Sequence, residues 1–236
     1  AKAEIVEYLS IPARQIDVIC EGAGPGFHPV EDAALCRETR ARLGLPETAR
    51  LLVYVGGFAP HKNLERLLEA FAGAITQEGA KDLHLVMTGD PEGGGFHSIY
   101  EKLQARIAAT PGLKDRVTFT GYVSDADLAA IYSDALALAL PSLSEGFGLP
   151  ALEAMSCGAP VLGATNGAVM EVAGSAGLDF NPLDVADITR AITALASDAE
   201  LEARLRARAL PETARNTWPQ AAKLTIEALR RTAGAL

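Results

Sequence analysis

The sequence predicts an α/β fold, namely a doubly wound domain built on a roughly six-stranded parallel sheet. Short and almost continuous apolar runs follow one another from about residue 50, as in strands that are buried on both faces. Segments whose apolar residues recur at helical spacing lie between these runs. This alternation predicts parallel strands joined by helical crossovers. With 236 residues and 49% hydrophobic side chains, the chain can bury the core that such a sheet needs.

The individual elements follow from the same patterns. Strands are predicted at residues 51–55, 83–87, 117–120, 135–140 and 160–163. Helices are predicted from the spacing of Leu64, Leu67, Leu68, Phe71 and Ile75, and from that of Ile99, Leu103 and Ile107. Further helices are expected near Leu149 and over residues 184–195 and 200–209. Pro211 is expected to interrupt the helical pattern, and a last amphipathic helix carries Trp218, Ala221, Leu224 and Leu229.

The first 45 residues fit this alternation poorly. A short helix at residues 3–9 and a strand at residues 16–20 are predicted before the glycine-rich segment 22–26. That segment must turn sharply, and no helix follows it closely enough to form a nucleotide-binding turn. We therefore expect residues 22–26 to act as a hinge.

The charge of the chain excludes one large class of partners. A net charge of -9 argues against a nucleic-acid-binding protein, since that affinity comes mostly from Lys and Arg neutralising phosphates. No apolar run approaches the roughly 18 residues that a membrane-spanning helix needs, and the first ten residues lack the order of a signal peptide. These observations predict a soluble, cytoplasmic protein whose anionic ligands are bound by local geometry.

The sequence predicts no metal site. The three cysteines are widely spaced and odd in number, which predicts reduced thiols with structural roles. His84 lies in an apolar run and is predicted to be a strand residue. Asp125-Ala126-Asp127 has the D-x-D form of a metal-binding signature, but Ser124 and Asp127 also form a capping box. We expect both acids to begin a helix and predict no bound metal.

The most informative segment is SEGFGLPALEAM, residues 144–155, which follows the fourth apolar run. Its glycines remove side-chain bulk, and Pro150 lies where a first helical turn tolerates proline. The helix therefore directs free N–H groups at the carboxyl edge of the sheet, where open α/β folds bind ligands and helix N-termini bind phosphate. Glu145 and Glu153 flank this site, and carboxylates there accept hydrogen bonds from hydroxyls. A sugar and a ribose at the two ends of a diphosphate would supply those hydroxyls.

Two further features of the sequence need weighing. Lys62 follows Pro60 where a helix is expected to begin, so its ammonium and the helix dipole both favour a phosphate there. The alternative is a solvated lysine in a first helical turn. Gly146, Gly148 and Ala151 also satisfy the G-x-G-x-x-A fingerprint of dinucleotide-binding proteins. That fingerprint belongs at the first strand and needs an acid about 20 residues on, which argues against it here.

The segment resembles the E-x7-E motif of family 4 of the retaining glycosyltransferases, which have the two-domain GT-B architecture. The resemblance includes the interior glycines, Leu149-Pro150 and the following CGAPV segment, residues 157–161, and it extends from about Ile5 to the end of the chain. Other matches in the same order are Tyr54-Val55-Gly56-Gly57 with Lys62-Asn63, Thr88-Gly89-Asp90, residues 117–123, residues 166–171 and the helix that carries Trp218. Residues 20–22 with Phe27 are similar to the stretch that links the family's two domains.

The resemblance implies metal-independent transfer of a hexosyl group from a nucleotide diphosphate sugar to a glycan or lipid-linked acceptor, with retention at the anomeric carbon. It implies that Glu145 contacts the donor sugar, Glu153 the ribose and Lys62 the diphosphate, so Glu145 and Lys62 are the candidate catalytic residues. The residues expected to bind the donor are Gly56, Gly57, Lys62, Gly89, Val123, Glu145, Gly146, Phe147, Gly148, Leu149 and Glu153. No cofactor is expected beside the donor, and a GDP-sugar is slightly favoured because the loop at residues 56–63 is similar to that of mannosyl- and rhamnosyl-transferring relatives.

One departure from the family pattern concerns the phosphate loop. Many relatives carry an Arg directly after the first Gly or directly before the Lys, where this chain has Gly57 and His61. One cation for the diphosphate is therefore absent, or is replaced by a histidine that is mostly neutral at about pH 7.

The resemblance also divides the chain into three parts. Residues 1–45 would be the hinge and the end of an N-terminal acceptor domain, residues 46–209 the nucleotide-sugar-binding Rossmann-like domain, and residues 210–236 a helix that packs back across the domain junction. The acceptor would then bind through a missing N-terminal domain, and peripheral membrane association of the full-length enzyme is compatible with this arrangement. The isolated chain is expected to be inactive. The alternative is a stand-alone nucleotide-sugar-binding module, or a split-enzyme subunit without turnover.

Overall fold

A computed structural model describes residues 2–91, 98–165 and 167–233. Six parallel strands form one sheet in the order β3-β2-β1-β4-β5-β6. The strands are β1 (Arg50–Val55), β2 (Leu83–Thr88), β3 (Val117–Gly121), β4 (Ala135–Leu140), β5 (Val161–Ala164) and β6 (Gly177–Phe180). The predicted doubly wound α/β fold is therefore confirmed.

Helices cover the sheet and join its strands. They are α1 (Lys2–Leu9), α2 (Ala33–Arg42), α3 (Leu64–Ala74), α4 (Tyr100–Ala109), α5 (Asp125–Asp134), α6 (Leu149–Ser156), α7 (Ala168–Ala173), α8 (Val185–Ser197), α9 (Ala199–Thr213) and α10 (Trp218–Ala233). Short 3₁₀ turns occur at Ala13–Gln15, Pro60–Lys62 and Gly174–Ala176. None of these helices is long and apolar enough to cross a membrane.

The order of the strands determines where a ligand-binding crevice opens. The sheet grows outward from β1 in one direction and from β4 in the other, so β1 and β4 are neighbours at the point where the order reverses. A crevice opens at the carboxyl ends of the strands at such a point. Residues 51–54 of β1 are fully buried, as is Phe71 of α3, which gives this crevice a rigid base.

Several predictions about single elements were wrong. Residues 16–20 form an irregular segment rather than a strand, because they lie beside no strand edge that could complete a ladder. Pro211 lies inside α9, which continues to Thr213, so the proline removes one amide near the end of the helix without ending it. Strand β6 has no predicted counterpart, because GLDF is too short and too mixed to show a strand pattern.

The segment before β1 packs against the sheet domain. Helix α2 lies on α5, and Arg40 pairs with Asp134 at the end of α5. Arg40 also donates to the carbonyl oxygens of residues 46, 47 and 49. Phe27 and Leu45 belong to the same hydrophobic core as the strands. These contacts place residues 27–45 beside the sheet. The domain boundaries at residues 45 and 209 remain predictions.

The N-terminal segment and α10 lie side by side. Lys2 donates from Nζ to the carbonyl oxygen of Ile16 at 2.6 Å, and Arg231 pairs with Asp17 at 2.8 Å. A Cβ at Gly22 would overlap the backbone nitrogen of Trp218, so only glycine permits this approach. These contacts hold residues 2–22 against α10.

The buried sulfur and imidazole groups have ordinary structural surroundings. His84 lies in β2 with 5% of its surface exposed, and its Nε2 is 2.9 Å from Thr118 Oγ1. Burial lowers the pKa of His84 to about 4, so it is neutral at about pH 7. The three cysteines, Cys20, Cys36 and Cys157, are free. The assignment of His84 to a strand is confirmed.

Candidate active site

The loops after β1, β2 and β3 contact one another through backbone atoms. The Gly56 amide donates to the carbonyl oxygen of Thr88 at 3.0 Å, and the Gly89 amide donates to that of Gly121 at 3.1 Å. A Cβ at Gly89 would overlap the carbonyl oxygen of Gly56. Residue 89 is therefore a glycine because the two loops stack directly, whereas at Gly56 the φ of 147° and the nearby Tyr54 hydroxyl exclude a side chain.

Aromatic side chains support the loop after β1. Tyr54 donates from its hydroxyl to the carbonyl oxygen of Gly57 at 2.6 Å. Phe58 packs against Tyr100 and Phe119 with ring centroids 5.3 and 5.7 Å apart. Gly57 itself has no atom within 4 Å of the place where a Cβ would stand, so it lies open at the crevice.

Lys62 lies in a different local structure from the one predicted. It is the last residue of the 3₁₀ turn Pro60–Lys62, and α3 begins two residues later at Leu64. Asn63 separates the two in the left-handed conformation, with φ 58°. The prediction that Lys62 opens a helix was wrong, because Asn63 turns the chain before α3 starts.

Glu145 is the centre of a small polar cluster in the loop between β4 and α6. Its Oε1 accepts from Lys62 Nζ at 2.7 Å and from Ser142 Oγ at 2.6 Å. The side chains of Lys62 and Glu145 are 20% and 18% exposed, so water screens this pair only in part. Because both donors address Oε1, the other carboxylate oxygen remains available for a hydroxyl of a ligand.

The first turn of α6 faces the same crevice. Gly148 precedes the helix with φ 93°, a conformation that other residues adopt only with strain, and it has no side chain with which to cap the free amides. A Cβ there would also lie 3.2 Å from the Val169 side chain of α7. Pro150 has no N–H, and the Ala151 amide donates to the carbonyl oxygen of Gly148 at 2.9 Å, so the helix presents the Leu149 amide and its positive dipole end beside Glu145.

Glu153 lies one turn inside α6 and is more than half buried. Burial, and then the negative charge of Asp125 on α5, raise the pKa of Glu153 to about 7. Among the described residues, no hydrogen-bond donor reaches its carboxylate. Val123, in the loop before α5, is buried at 6% exposure. A carboxylate without a partner, beside the crevice, is an acceptor that a ligand can use.

A cavity of about 990 Å³ adjoins the Glu145 loop. Residues 145–150 line one side, and residues 16–21 line the other. Asp17, Glu21, Glu145 and Glu171 supply carboxylates to its wall, and Lys2 and Arg215 supply cations. Such a wall suits a ligand with many hydroxyls better than one with many phosphates.

The predicted site residues thus fall into two groups. Glu145, Gly146, Phe147, Gly148 and Leu149 line the cavity. Lys62 joins them through its ion pair with Glu145. Gly56, Gly57, Gly89, Val123 and Glu153 lie outside the cavity wall, in the loops after β1, β2 and β3 and inside α6. Residue 166, in the matched segment 166–171, lies outside the described residues.

Two contributors were missed from the sequence. Ser142 donates to Glu145, and the Asn63 side chain donates to the carbonyl oxygens of Pro141 and Pro182 in two neighbouring loops. Ser142 follows a proline at the end of a buried strand, which is a weak signal, and Asn63 was noted only as a neighbour of Lys62. The sequence does not reveal the hydrogen-bond acceptors of either side chain. Ser142 donates to a residue 3 positions away, and the Asn63 amide donates to residues 78 and 119 positions away.

The D-x-D segment begins a helix, as predicted. Ser124 Oγ accepts from the Asp127 amide at 3.2 Å, and α5 starts at Asp125. The Asp127 carboxylate pairs with Arg42 of α2. The capping interpretation is confirmed, and Asp127 also ties α2 to α5.

Comparison with known proteins decides the family. The model of the glycosyl transferases group 1 family matches residues 37–210. The chain belongs to this family. The predicted family membership is therefore confirmed, and the matched range contains every site residue that the sequence predicted.

Curated group 1 relatives are longer than this chain. The chain is 31% identical over 233 residues to the serotype-specific mannosyltransferase WbdA of Escherichia coli, which covers 98% of this chain and 28% of that protein. It is 37% identical over 187 residues to the D-inositol 3-phosphate glycosyltransferase of Stackebrandtia nassauensis, which covers 78% of this chain and 42% of that protein. The chain thus spans less than half the length of both relatives.

Solved structures of the group 1 type share the fold. Anabaena HepE in complex with UDP and glucose superimposes with a TM-score of 0.82 at 20% identity, covering 100% of this chain and 61% of that chain. This likeness shows the fold alone, which is the Rossmann-like half of the GT-B architecture.

Proposed function

We propose that the chain is the donor-binding half of a retaining glycosyltransferase, which binds a nucleotide diphosphate sugar and takes part in hexosyl transfer to a glycan or lipid-linked acceptor. The observation that carries this proposal is the cluster of Lys62, Ser142 and Glu145 beside the N-terminus of α6. It combines a cation, the positive end of a helix dipole and a carboxylate oxygen within one crevice. A sugar joined to a diphosphate needs those three kinds of partner.

The diphosphate would bind between Lys62 and the first turn of α6. One N–H of the Lys62 ammonium is directed at Glu145, and its other two remain for phosphate oxygens. In the reaction, negative charge develops on the departing diphosphate as the bond to the anomeric carbon breaks. Fixed positive groups at that place lower the barrier because they need no reorganisation when the charge appears. We therefore propose transfer without a metal ion.

The donor sugar would lie in the cavity beside Glu145. The carboxylate oxygen that accepts from neither Lys62 nor Ser142 can accept from a sugar hydroxyl and hold the ring for attack from the face that the diphosphate leaves. Attack on that face retains the configuration at the anomeric carbon. We assign Glu145 a binding and orienting role rather than that of a nucleophile. The acceptor would bind to a part of the protein that corresponds to the segment of the relatives that this chain does not span.

The nucleoside would extend toward Glu153 and Val123. The Glu153 carboxylate would accept from the ribose hydroxyls, which gives a half-buried acid the partners that it otherwise lacks. The base would lie along the segment that ends at Val123. We favour a GDP-sugar, supported by the similarity to the mannosyltransferase WbdA, although HepE was solved with UDP and glucose. A cytoplasmic location and peripheral membrane association of the full-length enzyme remain predictions.

A second candidate is a binding module that holds a nucleotide sugar without turnover. The observation in its favour is that the chain spans only 28% of WbdA and 42% of the inositol-phosphate enzyme. The two candidates share the donor site and differ only in what completes it.

Calorimetry on the chain tests the donor site directly. We expect UDP-glucose or GDP-mannose, and the matching free diphosphate, to bind equally well with and without EDTA. GDP compounds should bind more tightly than UDP compounds if the preference for GDP is right. Failure of all four compounds to bind would reject the proposed function, and complete loss of binding in EDTA would reject the metal-free part of it.

A further inference from the structure

Asn63 joins three loops at the carboxyl edge of the sheet. Its Nδ2 donates to the carbonyl oxygen of Pro141 at 3.0 Å and to that of Pro182 at 2.7 Å, and its Oδ1 accepts from Arg66 at 2.9 Å. Asn63 is 5% exposed. Pro141 directly follows β4, Pro182 follows β6, and Asn63 ends the loop after β1. One buried amide therefore fixes the ends of three strands relative to one another.

The backbone at position 63 limits which residue can do this. Asn63 has φ 58° and ψ 30°, in the left-handed region that Gly, Asn and Asp enter most readily. Glycine has no donor, and an aspartate would direct a carboxylate at two carbonyl oxygens. Asparagine alone among these three residues combines the backbone conformation with two side-chain donors.

The contacts of Asn63 lie on both sides of the Lys62–Glu145 pair. Lys62 precedes Asn63 in the chain, and Ser142, which donates to Glu145, follows Pro141. Between them, the Leu143 amide donates to the carbonyl oxygen of His61 at 2.8 Å. The loop that carries Lys62 and the loop that carries Glu145 are therefore joined by the buried Asn63 amide and by this backbone hydrogen bond, in addition to the ion pair.

We propose that Asn63 is a positioning residue of the donor site, which fixes Lys62 and Glu145 so that both act on one sugar diphosphate. The proposal rests on the proposed function, since it concerns the same ligand. Without the Asn63 amide, the loops after β1 and β4 keep only the exposed end of their connection, the Leu143–His61 hydrogen bond, and we expect the cation and the carboxylate to shift relative to each other. A cation and a carboxylate that must contact adjoining parts of one ligand lose much of their effect when displaced by about 1 Å.

Asn63→Gly is the test, because it keeps the left-handed backbone and removes only the amide. In calorimetry on the chain, we expect the Kd for GDP-mannose or UDP-glucose to rise at least about tenfold, since two buried hydrogen bonds and the geometry they impose are lost. Thr189→Val is the matched control, because Thr189 Oγ1 also bridges two elements, by bonds to Ala70 and Val185 far from the site. That variant should lower the Tm and leave the Kd unchanged.

A double-variant comparison separates positioning from simple destabilisation. In a Lys62→Met background, Asn63→Gly should raise the Kd by less than about threefold, because the residue that it positions is already gone. Equal effects of Asn63→Gly with and without Lys62 would overturn the proposal, as would an unchanged Kd in the single variant.

Hydrogen exchange gives a measurement that does not depend on any ligand. In Asn63→Gly, the Leu143 amide should exchange at least about tenfold faster while the amides of β1 and β4 keep their protection. Uniform acceleration across the sheet, or none at Leu143, would overturn the positioning role. If the original chain binds no nucleotide, the proposed function fails, and this exchange experiment still decides whether Asn63 fixes the two loops.

Discussion

Lys62 Nζ lies 2.7 Å from Glu145 Oε1, across the crevice between the loops after β1 and β4. The two charges are already paired without a ligand, so the lysine is held in place before a phosphate arrives. A preorganised cation costs little entropy when it binds an anion, which suits a leaving group that gains charge during the reaction.

Lys62→Met is expected to weaken binding of free UDP and GDP by about 1.5 to 3 kcal/mol, the range for a hydrogen bond to a charged group. The cause is the loss of the only side-chain cation assigned to the diphosphate. Lys102→Met is the control, since Lys102 pairs with Glu65 on the surface and should change nothing. Calorimetry with both variants makes the measurement, and equal affinity in Lys62→Met and the original chain would contradict the assignment.

Glu145→Gln should distinguish binding of the donor sugar from binding of the diphosphate. The amide can still contact Lys62 through its oxygen, and it no longer attracts the ammonium as a charge, so free UDP and GDP should bind at least as tightly as before. The sugar esters should bind less tightly by about 1 to 3 kcal/mol, because a charge-assisted bond to a hydroxyl is lost. Calorimetry with GDP and GDP-mannose tests this, and an equal loss for both ligands would show that Glu145 does not contact the sugar.

The affinity for a nucleotide sugar should depend on pH through Glu153. Its pKa is raised to about 7, so the carboxylate that accepts from ribose hydroxyls is fully formed only above that pH. We expect the Kd for GDP-mannose or UDP-glucose to fall as the pH rises from about 6 to 8, and to stay level in Glu153→Gln. Calorimetry at several pH values makes the comparison, and parallel profiles for both proteins would exclude Glu153.

The same raised pKa predicts an opposite effect on stability. The unfolded chain ionises this carboxyl near its ordinary pKa, whereas the folded protein keeps the proton up to about pH 7. Stability is therefore lost as the pH rises through this window, and the loss is complete above it. Glu153→Gln should raise the Tm at about pH 8 and leave it nearly unchanged at about pH 4. A Tm difference that is independent of pH would contradict this explanation.

An added arginine at position 57 should strengthen phosphate binding. The place of a Cβ at Gly57 has no atom within 4 Å, so Gly57→Arg can extend over the crevice, with an expected gain of about 1 kcal/mol for UDP and GDP. Gly56→Arg is the control, because Gly56 has φ 147° and a Cβ would lie 2.9 Å from the Tyr54 hydroxyl. That variant should lose stability instead. Weaker diphosphate binding in a well-folded Gly57→Arg would show that the phosphates lie elsewhere.

Transfer should require more than this chain. Positioning of an acceptor supplies up to roughly 7 to 11 kcal/mol of rate advantage, and the chain spans 28% of WbdA and 42% of the inositol-phosphate enzyme. We expect residues 1–236 to bind the donor and to show no sugar transfer, as measured with labelled GDP-mannose and mannose oligomers. Transfer at the rate of a complete enzyme would show that the acceptor site lies within these residues.

The fold could be predicted because buried parallel strands leave a strong local record. The run that forms β4 is apolar throughout, and those of β1 and β2 are apolar except for Arg50, His84 and Thr88, since both faces of these strands are covered. Strand β6 was missed because an edge strand of four residues with Asp179 in it shows no such run. The segment at residues 16–20 was mistaken for a strand because its apolar residues line a cavity and contact α1, which gives the same composition without a ladder.

The site could be predicted only in part, for a related reason. Glu145 and the glycines beside it carry a local signature, because a strand end and a helix start lie within a few residues. The partners of Asn63 and the pairing of Lys62 with Glu145 depend on loops 78 to 119 residues apart in the chain. Spacing along the sequence gives no information on such contacts, which arise only when β1 and β4 become neighbours in the sheet.

The position of Trp218 makes the protein its own spectroscopic reporter. It is the only tryptophan of the chain, it begins α10, and it lies against Gly22 with about half of its surface exposed. Indole emission shifts to longer wavelength when the ring becomes more hydrated. Movement of residues 2–22 away from α10 would therefore change the fluorescence of a single residue, without a label. The strands of the sheet contain no tryptophan, so they do not contribute to the tryptophan emission.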